Sequence, residues 1–317
     1  MIASRISRCA GMAGFLLLAV LSAPARASSL NLLPETTAIL DQIYSFDLDG
    51  AVKAAQHMQQ QRPSHPLGYL LEAEALWWRI WCSSAEFKYG MTDARHRPKH
   101  ETDQHYIDVS ARALSLAEAQ IKQNDSAEMR FYAGMAEASL ARLYGLRGEN
   151  RNAARSGVRG REHLLRAKAL DPDLADADMG LGLYNYYVDT LSSLAKILRF
   201  FMGIPGGSKQ DGVRLLEQAM AQGVLTSQIA RFYLALNLHR YDQQYEQALS
   251  IIGPLVEKYP SNPLFQLARG DIYAKLGRKQ QALVSYRAAS ALTAQDSECQ
   301  AHLQNLVRTS VAALGTQ

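Results

Sequence analysis

The chain has 317 residues, with 34 Lys and Arg against 30 Asp and Glu, a formal charge of +4 and three cysteines. Arg5, Arg8 and Arg26 all lie before Ser28, and without them the charge falls to +1, so the basic footprint of a nucleic-acid partner is excluded. Cys9 lies in the same segment, which leaves Cys82 and Cys299 as the pair to account for.

Residues 1–27 carry Arg5 and Arg8, then an apolar run from Gly14 to Leu21, then Ala25-Arg26-Ala27. That order of charge, short apolar core and small-x-small site is the pattern of a secretory signal peptide, and the run is shorter than the roughly 20 residues a membrane span needs. The expectation is an exported, periplasmic protein whose mature chain begins at Ser28. No cysteine follows the cleavage-like site, which argues against a lipoprotein.

The remaining residues, 28–317, divide into helical units near 32–65, 66–124, 126–172, 175–223, 229–262 and 263–296, with a capping helix at 297–314. In the first unit Asp47-Leu48-Asp49-Gly50 supplies a turn and an N-cap, and Pro63 closes the second helix. The second unit opens at Pro66 and carries Trp77, Trp78 and Trp81 on one helix. Three indoles so close together cover too much of the circumference to face one groove, so core packing takes some and at least one is expected to stay accessible to a partner. A connection from Ala85 to Thr102 follows, longer than a repeat turn, with His96 and His100 in it and His105 just after. Arg95, Arg97 and Lys99 repel a cation, so the segment reads as a surface loop with no metal. In the third unit Gly148 marks the turn, and Asp171-Pro172-Asp173 stops the second helix. Asp171, Asp173, Asp176 and Asp178 gather at a helix start, where the dipole favours negative charge. That arrangement requires no active site. No nucleophile with a base and no carboxylate pair at a working spacing stands out, so no catalytic residues and no cofactor are assigned.

The fourth unit is interrupted. Its first helix carries Gly180 to Tyr187, its second begins near Gly212, and an insert at 188–210 separates them. The first helix is expected to run on to about Met202 before Pro205-Gly206-Gly207 reverses the chain. Phe200, Phe201, Met202 and Ile204 are nearly contiguous, so they either fold back on the flank or face outward toward a membrane. Gly203 to Lys209 is glycine-rich but follows a helix and ends Gly-Gly-Ser-Lys, which is not a phosphate-cradling loop.

The last unit has the clearest spacing. Counting Pro263 as one, Gly270, Tyr273, Gly277, Ala282, Tyr286 and Ala289 fall at 8, 11, 15, 20, 24 and 27 of a 34-residue unit. One period earlier come Ala248, Ile252 and Leu255, with Pro260 at the stop position. Small residues at these places let two antiparallel helices cross closely. The pattern resembles the tetratricopeptide repeat (TPR), although Gln266 and Arg269 stand where apolar residues are usual. The resemblance implies an all-α fold, a right-handed TPR-like alpha-solenoid of about six helix pairs with a helical insert, elongated and touching only neighbour to neighbour. On that basis Cys82 and Cys299, one in the second unit and one beyond the last, are not expected to bridge. A second likeness lies in the fourth unit, where Gly-x-Tyr-Asn-Tyr-Tyr, Lys-x-Leu-Arg-Phe, Gly-Ile-Pro-Gly-Gly and Gly-x-x-Leu-Leu follow in order. That series is similar to exported bacterial TPR proteins of unassigned role and, more loosely, to the eukaryotic inclusion-body clearance TPR family.

TPR proteins line their concave face with the first helix of each pair, so the resemblance places a protein or peptide partner there. Tyr233, Asn237 and Tyr241 form a stripe at i, i+4 and i+8, bordered by Arg240, with Asp271 and Lys275 at the equivalent places of the next unit. Tyr186 and Tyr187 are the next candidates. The family's carboxylate-clamp set is not reproduced beyond Asn237, so a free peptide C-terminus is not the expected ligand. The expected function is a scaffold that takes part in envelope assembly, the alternative being a membrane- or hydrophobic-ligand-binding protein acting through 188–210.

Overall fold

In a computed structural model the described residues are 30–84, 99–192, 196, 199 and 203–315. The 1–27 segment, His96, Phe200, Phe201 and Met202 lie outside them. The described residues form thirteen α-helices and no strand: α1 Thr36–Tyr44, α2 Leu48–Gln61, α3 Pro66–Ser84, α4 Asp103–Gln123, α5 Ala127–Leu146, α6 Asn150–Leu170, α7 Asp176–Asp189, α8 Lys209–Gln222, α9 Ser227–Asn237, α10 Tyr245–Lys258, α11 Pro263–Lys275, α12 Lys279–Ala291 and α13 Ser297–Gly315. Consecutive helices pack as antiparallel pairs, and pair stacks on pair, a TPR-like all-α solenoid.

Local chemistry sets the pairs. Asn262 caps α11, its Oδ1 accepting from the N–H groups of Leu264 and Phe265, and Pro263 starts the helix with its φ already fixed. Gly277 leaves α11 at φ 71° and Gly148 leaves α5 at φ 74°, left-handed turns that only glycine enters without cost. Within pairs the small residues allow the expected close crossing: a Cβ on Gly270 would lie 2.5 Å from Tyr286, and one on Gly134 would lie 2.6 Å from Leu164.

The array does not stay open. Helix α3 has fourteen of its 19 residues buried, far more than one neighbouring pair can cover. Trp78 packs edge-on to Phe265 of α11, with ring centroids 5.5 Å apart, and lies 5.2 Å from Phe232 of α9. Tyr44 of α1 meets Tyr259 beyond α10, and the buried Asn262 side chain donates to the Tyr44 carbonyl at 2.9 Å. Tyr259 donates to Asp41 at 2.6 Å. The first and last pairs therefore meet, with α3 between them, and contacts are not confined to neighbours. Apolar burial explains the closure: each open end of an array would leave Tyr44, Trp78 and Phe265 facing water, and joining the ends buries all three.

Four expectations are corrected by this geometry. Cys82 on α3 and Cys299 on α13 are joined in a disulfide across 217 residues of sequence, because curvature brings the two helices side by side. All three tryptophans are buried, at 5%, 1% and 8% exposure for Trp77, Trp78 and Trp81, since closure covers both sides of α3. His100 is buried, not on a surface loop, and shares its Nδ1 with the Thr102 hydroxyl at 2.6 Å. Helix α7 ends at Asp189 instead of running to Met202: the Thr190 hydroxyl donates to the Tyr187 carbonyl, and Asp189 accepts the Lys209 N–H at the start of α8.

Candidate functional site

The end of α7 brings most of the candidate residues together. Gly182 and Gly212 let α7 and α8 cross with almost no space between them; a Cβ on Gly212 would stand 2.8 Å from the Tyr186 nitrogen. The next four side chains then take separate partners. Tyr184 donates to the Pro205 carbonyl at 2.9 Å. Asn185 donates to the Leu181 carbonyl and accepts the Ser208 N–H. Tyr186, fully buried, donates to Asp242 at 2.9 Å. Tyr187 donates to Oδ1 of Asn237 at 3.2 Å. Gly207 sits so close to Asn185 that a Cβ would come within 2.6 Å of its carbonyl oxygen. The Tyr-Asn-Tyr-Tyr and Pro-Gly-Gly motifs are thus two halves of one anchor that pins the return of the insert, and half-buried Ile204 lies at that return.

Opposite this anchor, α9 passes into a π-helical turn, Leu238–Asp242, closed by Gln243 in the left-handed region at φ 55°. The wider turn swings Tyr241 onto Tyr186 and Tyr187, with ring centroids 5.9 and 6.5 Å apart, and leaves it exposed. Lys209 pairs with Asp242 and lies over the Tyr186 ring at 5.4 Å. Burial pushes the Tyr186 and Tyr187 phenols up, and the neighbouring tyrosines add to it, so these two stay neutral donors at physiological pH.

A second network continues along the inner face. Arg142 of α5 donates to Glu74 of α3 at 2.7 Å and to the Tyr106 hydroxyl at 2.7 Å, while its guanidinium stacks 4.5 Å from the Trp77 ring. Glu74 also accepts the Trp78 indole N–H at 3.0 Å. Burial pulls the guanidinium down, but the Glu74 carboxylate and the Tyr106 and Tyr233 phenols outweigh it and hold Arg142 above its usual range. Tyr233 of α9 hydrogen-bonds with both Trp77 and Arg142, and its phenol is pushed up by burial. The Tyr233 phenol also adds to the upward shift of Tyr187, so the two networks act on each other electrostatically. The result is an aromatic strip along the inner face in which Tyr106, Tyr187 and Arg142 are held by internal bonds, ending at the exposed Tyr241.

The candidates sort clearly. Tyr186, Tyr187, Asn237 and Tyr241 come together, and Tyr233 joins them through the second network. Asn237 is buried at 1%, and its Nδ2 has no partner. Asp271 is drawn away: it is buried and accepts the Tyr286 hydroxyl at 2.6 Å, a bond inside its own pair. Lys275 is exposed and, with Arg240, bears on His239. Glu74, Tyr106, Arg142, Lys209 and Asp242 were not singled out from the sequence. A charge pair across 68 residues leaves no local periodicity in the sequence. His105 is held by Glu72 at 2.8 Å, away from His100, so the two do not share a site.

No protein-family model matches the chain, and no curated protein matches it in sequence. Among solved structures, yeast Tom70 is similar at a TM-score of 0.30 and 10% identity, over 88% of this chain and 88% of that one.

Proposed function

We propose that this chain is an exported helical-repeat scaffold that holds a protein or peptide partner, without catalysis, at the α7–α9 end of its inner face. The observation that carries the proposal is the strip Tyr187–Tyr233–Tyr241 beside Arg142 and Trp77. It is rich in the side chains that dominate binding energies and is held rigid before any partner arrives. Closure has a consequence for where binding happens. Because α3 fills the middle of the array, the partner does not thread a long groove; it docks on the rim where Tyr241 is exposed. The Cys82–Cys299 disulfide supports the exported placement, since such bonds persist in oxidising compartments. A role in envelope assembly is consistent with that placement.

A photo-crosslinking residue at Tyr241 tests this, with Val284 on α12, 62% exposed on the outer wall, as the control. Crosslinks to a partner from the Tyr241 position alone are the expected outcome. Crosslinks from Val284 alone would move the site to the outer wall, and lipid adducts from Tyr241 would favour the membrane alternative through 188–210.

A further inference from the structure

The two parts of the closing seam are built differently. The inner part, Tyr44, Trp78, Phe232, Tyr259 and Phe265, is a continuous buried aromatic cluster with the buried Asn262 bond through it. The outer part is the joint between α13 and α3. Helix α13 buries five of its 19 residues, Cys299, His302, Leu303, Val307 and Leu314, on one face. Just before it, Gln295 accepts the Asp49 N–H at an exposed position. The His100 Nε2 lies 3.7 and 3.6 Å from Asp296 and Glu298, beyond hydrogen-bond length. A void of about 10 Å³ between Phe46, Leu48, Ala294 and Cys299 interrupts the packing there. The disulfide is the one covalent tie across this joint among the described residues.

We infer that α13 is a redox-dependent latch: the Cys82–Cys299 bond keeps it docked on α3, and reduction releases it while the aromatic seam stays shut. Both cysteines are at most 1% exposed, so a reductant cannot reach either sulfur in the docked form. Exchange follows a local opening of the joint around the bond, short of the undocking of α13 that reduction then allows. A dithiol's thiolate then attacks one of the two sulfurs and expels the other cysteine as a thiolate, which takes up a proton. The second thiol of the dithiol resolves the mixed disulfide, so two electrons pass to the protein, two cysteine thiols form and the dithiol ends as a disulfide. The released helix presents Cys299, Leu303, Val307 and Leu314 as an apolar face, so docking of α13 and the redox state of its partner dithiol are linked.

Hydrogen exchange on the full chain tests the latch. In Cys299→Ser, amides of 297–315 are expected to exchange at least about tenfold faster than in the oxidised protein, while those of α5 to α8 change by less than about twofold. Unchanged protection of α13, or equal acceleration throughout, would overturn the inference. A second reading avoids any folding defect of the variant. In the wild-type chain, the rate of reduction by dithiothreitol is expected to level off at high reagent concentration, limited by that local opening. A rate that stays proportional to reagent concentration and matches that of an exposed disulfide would mean that the bond is attacked in the docked form and that no latch exists; proportionality at a much lower rate is the fast limit of the same opening.

Discussion

At the scale of single residues, two glycines in first and second helices have opposite roles. Gly270 faces Tyr286, whose hydroxyl holds the buried Asp271, and a Cβ there would overlap the ring at 2.5 Å. Gly270→Ala is expected to lower unfolding stability by about 1–3 kcal/mol, because the neighbour is a fixed ring and not a flexible tip. Gly253, inside α10 with nothing within 4 Å of its Cβ position, is the control. Gly253→Ala is expected to add up to about 1 kcal/mol from helix propensity, and urea unfolding of both variants checks the pair. A third residue ties stability to pH. Burial, with Arg240 and Lys275 close by, pulls the His239 imidazole down from 6.5 to about 4. Its contribution is complete above the unfolded value and is lost as pH falls from there toward about 4, where the unfolded chain takes a proton that the folded one refuses. The loss is on the order of 3 kcal/mol, and His239→Gln is expected to flatten the urea midpoint over that window.

At the scale of elements, the pairing was legible in the sequence and the insert was not. The spacing of Gly270, Ala282 and Ala289 reports helix crossings because packing inside a pair is local, and at Gly270 a Cβ would lie 2.5 Å from Tyr286. Asn262 and Asp47 act as caps for the same reason: a cap is written within three residues. The end of α7 depends on Asp189 reaching the Lys209 N–H, 20 residues further along the chain, and on the Thr190 hydroxyl, and helical periodicity carries no trace of them. The same limit applied to the Tyr-Asn-Tyr-Tyr motif, whose order was visible while its task was not. Asn185→Ala is expected to free this return: it removes the Ser208 and Leu181 bonds, at about 1–3 kcal/mol for buried groups left unpaired. The check is limited proteolysis, with faster cleavage between 203 and 208 and far-UV circular dichroism close to that of the parent chain.

At the scale of the whole molecule, neighbour-only stacking fails because curvature accumulates. Each pair turns slightly on the last, and after six pairs α11 and α13 return to α1 and α3. Nothing local encodes that return, since it is a sum of small rotations, so Trp78 could be read as aromatic but not as the centre of a closed core. Closure also bears on the docking surface proposed above. It consumes the middle of the inner face and leaves the α7–α9 rim, with Tyr241 exposed, as the accessible end of the aromatic strip. The account rests on the meeting of α3 with α13, and peptide mapping of the oxidised protein under non-reducing conditions tests that meeting most directly. The predicted result is one linked pair of peptides, containing Cys82 and Cys299 of the same chain. Free thiols at both positions, or a bond joining two chains, would contradict it.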